Sequence, residues 1–452
     1  MTFPHSWKKV AVLQVFFIFV CACLVTSRTL GNVGADLIKS SKPVLLTNVI
    51  LITISTLRAD HTGCLSYKRD TTPNLDELGK QAVLFRNAFA ASGWTMPAHG
   101  SIFTSLYPKA HGAVNINSGL AAENNTLAEI LKNNGYYCAG FCCNPRLGQK
   151  QGFAQGFDLY DDYSVSLMLN SLAFENNRTV NINRKRTNGF INDAATRWLQ
   201  DNTQKPFFIF LHYYDNHWDY LPPAPYDKLY DPNYRGPIDG TNIAREPLFS
   251  NPPTEQDIRH IIALYDGELR QTDNDLGEIL RFLKKKKLLD NSIIVIVGDH
   301  GEQFYEHGHT SHQGIYEELI HIPLVISVPG AHTKAIDSLA SQVDILPTIL
   351  DYLQIPLPST CQGKSLKPLI EGQTEIVNDF VFVEYTGGTA PDCAAVRSTQ
   401  YKYYEQAGDT FAYDLLKDPG EQFKISPPDF TEEIKSLQKA FHKRIELGNR
   451  IR

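Results

Sequence analysis

The chain has 452 residues, 42% of them hydrophobic and 20% charged, with a net charge of −6. That length and composition exclude a disordered chain or a mini-protein, and they predict one large folded domain with a smaller companion. The acidic balance excludes a binder of phosphate backbones, so no nucleic acid partner is expected.

Lys8 and Lys9 precede an uncharged apolar run over residues 10–25. The run is shorter than the roughly 20 residues that cross a bilayer and carries a basic flank, so residues 1–27 read as a signal peptide or membrane anchor. The expected location is extracytoplasmic, whether secreted, periplasmic or anchored, with membrane contact only through this segment. The six cysteines beyond it show no metal-type spacing, and any disulfide pairing cannot be read from one sequence.

Residues 48–54 form a near-continuous β-branched run, as in a strand buried on both faces of a parallel sheet. A Thr-capped helix with Pro73 in its first turn follows, then a short strand at 83–85, a helix from near Pro97 and another after Thr126 that Gly135 stops. Further strands are predicted at 137–141, 207–211 and 293–297. A helix over 257–287 carries apolar Ile261, Leu264, Leu269, Leu276, Ile279 and Leu283, and its four terminal lysines read as a solvated C-terminus. This alternation predicts an α/β domain over 46–350, a large central and mostly parallel sheet flanked by helices. Residues 351–452, with short β-like pieces and a polar terminal helix, predict a smaller C-terminal α+β subdomain.

Ligands of open α/β sheets collect at the carboxyl ends of the strands. Ser55 to His61, His212 to His217 and Gly298 to Glu302 occupy such places. Asp299 and His300 together offer a carboxylate oxygen and an imidazole nitrogen to a divalent cation, although such a loop can equally satisfy itself as a turn. In the segment 92–101, Thr95 precedes Pro97 and falls at a helix N-terminus, where amide donors favour an oxyanion; the plainer reading is an N-cap. A cation on Asp299 and His300 would activate the Thr95 hydroxyl, with His99 one turn on to orient it.

Stretches in this order, NVILITISTLRADHTGC, TTPNLDELGKQAVLFRNAFA, SGWTMPAHGSIFTSLYPKAHG, FFIFLHYYDNHW, YDGELRQTD, VIVGDHGEQFYEHG, HQGIYEELIHIPLVI, QVDILPTILDYL and AAVRSTQYKYY, resemble the sulfatase family of the alkaline phosphatase superfamily over residues 46–420. The resemblance implies hydrolysis of sulfate or phosphate esters by a covalent nucleophile with one divalent metal ion, calcium, manganese or zinc. It implies a sulfated or phosphorylated small molecule or glycan as partner. Thr95 takes the nucleophile position, where sulfatases carry a Cys or Ser that becomes formylglycine, and a threonine cannot be converted in that way. His99 stands in place of an arginine, Ser105 in place of a glycine and His312 in place of a lysine, while His217 matches a substrate-contacting histidine.

The implied metal set is Asp299, His300, Thr95 and Ser55, and Ser55 replaces an acidic ligand. Asp60 is expected to keep a structural role and not to substitute for it. Three readings stay open: a hydrolase with a metal-assisted Thr95 nucleophile, a catalytically impaired binding protein on the same fold, and a transferase of phospho-groups.

Overall fold

β1 (Asn48–Ile54) is buried along its whole length and pairs in parallel on both sides, with β5 (Phe207–Tyr213) and β6 (Ser292–Gly298). Two covered faces and two occupied edges explain why its sequence is almost wholly aliphatic. The computed structural model describes residues 47–450 apart from 116, 163–186, 242, 244–251 and 389; the expected signal or anchor at 1–27 lies outside them. No helix among the described residues is long and apolar enough to cross a membrane.

The remaining strands of the main sheet are β2 (Val83–Phe89), β3 (Tyr137–Phe141), β4 (Leu159–Asp161), β9 (His321–Ser327), β10 (Lys334–Ile336) and β11 (Ala340–Ser341). A hairpin of β7 (Gln303–Phe304) and β8 (Thr310–Ser311) follows β6. The sheet runs β10-β2-β9-β6-β1-β5-β3-β4, with β11 extending the pairing of β2. It is mostly parallel, as the strand–helix alternation predicts. The exception is β9, antiparallel to both β2 and β6. Pairing with β9 also carries β2 to Phe89, four residues beyond the expected strand, through a register shift between Phe85 and Ala88.

Side chains alternate between the two faces of a strand with period two. Ile50, Ile52, Ile209, Leu211, Ile294 and Ile296 pack on one face against the long helix. Val49, Leu51, Phe208, Phe210, Val295 and Val297 fill the other. The next inward positions on this second face are Thr53 and His212, which are register partners, then Ser55 and Asp299 beyond the strand ends.

Besides two single-turn helices at Glu317–Ile320 and Lys367–Ile370, the helices among the described residues are α1 (Pro73–Gln81), α2 (Thr95–Thr104), α3 (Pro108–His111), α4 (Leu127–Asn133), α5 (Thr187–Asp201), α6 (Glu255–Lys285), α7 (Ile345–Tyr352) and α8 (Glu432–Arg450). α6 begins two residues before the expected position because Thr254 and Asp257 close a capping box. Its six apolar positions are all buried and its terminal lysines exposed. α2 is buried at every position against the second sheet face.

The C-terminal part is an antiparallel sheet of β12 (Val381–Tyr385), β13 (Cys393–Arg397), β14 (Tyr401–Gln406) and β15 (Asp409–Asp414). Ile434, Leu437 and Phe441 of α8 pack on Val396 and Tyr403. Val383, Tyr385 and Phe411 join the main core, and the described residues from Thr47 onward form one unit. All six cysteines in the described residues are free thiols.

α2 and α3 meet through His111. Its Nε2 lies 3.1 Å from the Pro97 carbonyl, which can only accept, so Nε2 carries the proton; Nδ1 accepts the Ala113 amide at 3.1 Å. A Cβ on Gly100 would stand 2.5 Å from the ring. Gly100→Ala is therefore expected to cost about 1–3 kcal/mol by overpacking, read by urea denaturation. Burial pushes the His111 pKa from 6.5 to about 3. Between those values the unfolded chain binds a proton that the folded chain refuses, so stability falls as pH drops below 6.5, by up to about 1.4 kcal/mol per unit. His111→Gln should flatten that part of the stability–pH curve.

Candidate active site

Polar residues appear on the inward face only where β1, β5 and β6 end. Asp299 follows β6, and its Oδ1 accepts backbone N–H bonds from Thr56 at 2.9 Å and His300 at 2.7 Å. Its Oδ2 is buried and finds no hydrogen-bond partner among the described residues. Thr56 holds this arrangement in a left-handed conformation, φ 49°, that β-branched residues rarely adopt. Its hydroxyl donates to the Asn216 carbonyl at 2.9 Å and its carbonyl accepts from the Tyr265 hydroxyl at 2.7 Å, so the turn is fixed from three elements.

Thr95 is the first residue of α2, and its side chain makes no cap. The hydroxyl instead lies 3.2 Å from His300 Nε2. His300 Nδ1 faces the Gly301 carbonyl at 2.8 Å and so bears the proton, which leaves Nε2 to accept from Thr95. His300 Nε2 is also 3.6 Å from Asp299 Oδ2. Separations of this size are those between neighbouring ligands on a cation with bonds of about 2.0–2.2 Å. Ser55 Oγ, His212 Nε2 and Asn216 Oδ1 are likewise buried without partners. A cluster of bare acceptors and hydroxyls at one edge of a sheet suits a divalent cation, and the residues present fit one.

Behind this cluster runs a chain of hydrogen bonds. His99 Nδ1 is 2.9 Å from the Thr95 carbonyl, His99 Nε2 is 2.9 Å from Thr53 Oγ1, and Thr53 Oγ1 is 2.8 Å from His212 Nδ1. Burial holds both imidazoles neutral by pushing their pKa values down.

In front of Thr95 opens a cavity of about 680 Å3. His217 and His312 line it with Thr95, Trp94, Tyr214, Trp218 and Tyr385 form aromatic walls, and Arg146 stands at the edge. The Arg146 guanidinium meets no carboxylate among the described residues. His217 donates Nδ1–H to the Trp218 carbonyl at 2.9 Å, which reserves Nε2 for the cavity. His312 Nδ1 lies 3.1 Å from Glu302 Oε1. Burial moves His217 to about 3, His300 to about 3 and His312 to about 4, and raises Asp299 to about 6 and Glu302 to about 7.

Every site residue expected from the sequence, Ser55, Thr95, His99, His217, Asp299, His300 and His312, is gathered here. Asp60 instead spends both oxygens on Arg58, at 2.9 and 2.7 Å. His321 bonds the Arg86 carbonyl and His307 stacks on Tyr316. Ser105 terminates α2 at φ 58°, the conformation that favours glycine, and its hydroxyl donates to the Val343 carbonyl at 2.6 Å. Sequence reasoning passes over Thr53 and Arg146, and it includes His212 and Glu302 only as members of strand-end segments without a role. A period-two reading of β1 and β5 picks out Thr53 and His212, since each is the polar residue that ends an apolar inward row.

Thr53→Val removes the hydroxyl between two buried imidazoles. The expected loss is about 1–3 kcal/mol for each ring nitrogen left bare, measured by chemical denaturation.

The Sulfatase family model matches residues 47–355, and a model described as the N-sulphoglucosamine sulphohydrolase C-terminal region matches 305–449. An arylsulfatase of Clostridium perfringens is 25% identical over 88% of this chain and 94% of its own length. The multifunctional alkaline phosphatase superfamily protein PehA of Trinickia caryophylli is 26% identical over 89% of this chain and 96% of its own. Among solved structures, a phosphonate monoester hydrolase of Agrobacterium radiobacter shares the fold with a TM-score of 0.73 at 22% identity, covering 89% of this chain and 95% of that one.

Proposed function

The chain belongs to the sulfatase family, among the sulfuric and phosphoric ester hydrolases, and we propose that it cleaves its ester through a covalent bond to Thr95. The observation that carries this reading is the seat of the Thr95 hydroxyl, buried at the first turn of α2, leaning on His300 and opening into the cavity. Asp299 and His300, with the Thr95 and Ser55 hydroxyls, would hold the divalent cation. Such an ion, when bound, lowers the pKa of a hydroxyl and draws charge from ester oxygens.

The protein's own groups do the rest. His99, bonded to the Thr95 carbonyl, fixes the start of α2 so that Oγ1 points at the sulfur or phosphorus. The free amides of that first turn face the charge that builds on the nonbridging oxygens. Glu302, raised to about 7 by burial, passes its proton to Nδ1 of the neutral His312 as His312 gives its Nε2–H to the leaving oxygen, and His217 meets the ester with Nε2. Water then attacks the sulfur or phosphorus of the Thr95 ester and restores the hydroxyl. Buried polar atoms left unpaired support a working centre over a degenerate one, because a site without a function gains nothing from leaving them bare.

Aromatic walls suit a ring-bearing ester, aryl or glycan, and Arg146 suits a second anionic group on it. The basic-flanked apolar run near the N-terminus supports an extracytoplasmic place of action.

Thr95→Ala should lower turnover of 4-nitrophenyl sulfate, 4-nitrophenyl phosphate and a phenyl phosphonate by at least about a thousandfold, with the fold retained as read by circular dichroism. Turnover near the wild-type level would remove Thr95 from the mechanism. Arg146→Ala should raise KM about tenfold for ring esters bearing a second anion and leave kcat unchanged. An equal effect on esters without that anion would show Arg146 to have another task.

A further inference from the structure

We infer that His212 supplies the ligand Ser55 cannot, making the centre a nitrogen-rich site that selects zinc over calcium. This rests on the metal-assisted reading above and goes beyond its ligand set.

The hydrogen-bond chain decides the tautomers. His99 Nδ1 faces a carbonyl, so it carries the proton and Nε2 must accept. Thr53 therefore donates its hydroxyl proton to His99 and accepts on oxygen, and the proton it accepts is on His212 Nδ1. A neutral His212 is then left with a bare lone pair on Nε2. That atom is wholly buried and meets no partner. A ring nitrogen of His212, one of His99 and a carboxylate oxygen of Asp299 lie within 4.8 Å of one another. His99 has both nitrogens spent in the chain, so it orients and His212 ligates.

Histidines that bind metals donate their second nitrogen to an oxygen that fixes the ring, and Thr53 already does this for His212. The resulting donors are the nitrogens of His212 and His300, one oxygen of Asp299 and neutral hydroxyls. Imidazole with a single carboxylate matches zinc, whereas calcium requires six to eight oxygens. With only one negative ligand, a divalent ion would leave the centre net positive, which favours an anionic ester.

The test is titration of the metal-stripped protein with zinc and with calcium, read by calorimetry, elemental analysis and melting temperature. One zinc per chain is expected, with calcium at least about 100-fold weaker, and His212→Asn should weaken zinc by at least about tenfold. Adding Ser55→Asp to His212→Asn should restore a bound divalent ion and narrow the preference against calcium, which also shows that the His212 variant is folded. Zinc bound equally well by His212→Asn, calcium preferred by the wild type, or no divalent ion bound at all would each overturn the proposal. Turnover is not read here, so failure of Thr95 as nucleophile and failure of His212 as ligand give separate results.

Discussion

Strand β1 is hydrogen-bonded on both edges by parallel neighbours, and that double pairing fixes the heights at which three strands end. A slip of one residue in either register would turn Thr53 or His212 to the opposite face and dissolve the relation between them. The aliphatic rows beneath are thus more than a core. They set the position of every polar group above them, with a dry floor of Leu51, Phe210 and Val295 under Thr53 and His212. In such surroundings a hydrogen bond is strong and an unpaired acceptor expensive, so the polar groups hold one arrangement.

Two devices convert this platform into a reactive centre. The strained turn at Thr56 satisfies one oxygen of Asp299 and leaves the other bare. The relay through His99 and Thr53 ties the Thr95 carbonyl to the ring of His212, on a different strand. Thr95 at the start of α2 and His212 on β5 are thus held in one hydrogen-bonded chain. His111 locks the other flank of α2 by filling the space at Gly100.

The parts of this arrangement that are legible in the sequence are those governed by local pattern. Long aliphatic runs marked β1, β5 and β6, and the capped apolar face of α6 stood out for the same reason. Asp299, His300, His217 and Thr95 are legible because they follow strand ends or open a helix, whereas His312 is singled out only by the resemblance to the sulfatase pattern. The reversal of β9 was hidden, because an aliphatic strand reads alike in either direction. His212 was hidden inside a histidine- and tyrosine-rich stretch, and its role depends on a partner 159 positions away. Glu302 looked like one of several acidic residues in its loop until His312 was seen beside it. Ser105, a departure from the glycine of the sulfatase pattern, keeps the left-handed backbone and adds a hydroxyl bond in exchange for the strain.

The Trp94 indole donates to the carbonyl of Thr386 across 292 positions, and Tyr385 beside it completes the aromatic wall. At ribosomal speeds of about 5–20 residues per second, α2 is synthesised roughly 15–60 s before the segment that faces it. Until then the cavity in front of Thr95 lacks one of its walls. The cavity is consequently completed late in the life of each molecule, and a chain interrupted before Val381 would lack both that wall and the part of the main core that Val383, Tyr385 and Phe411 supply.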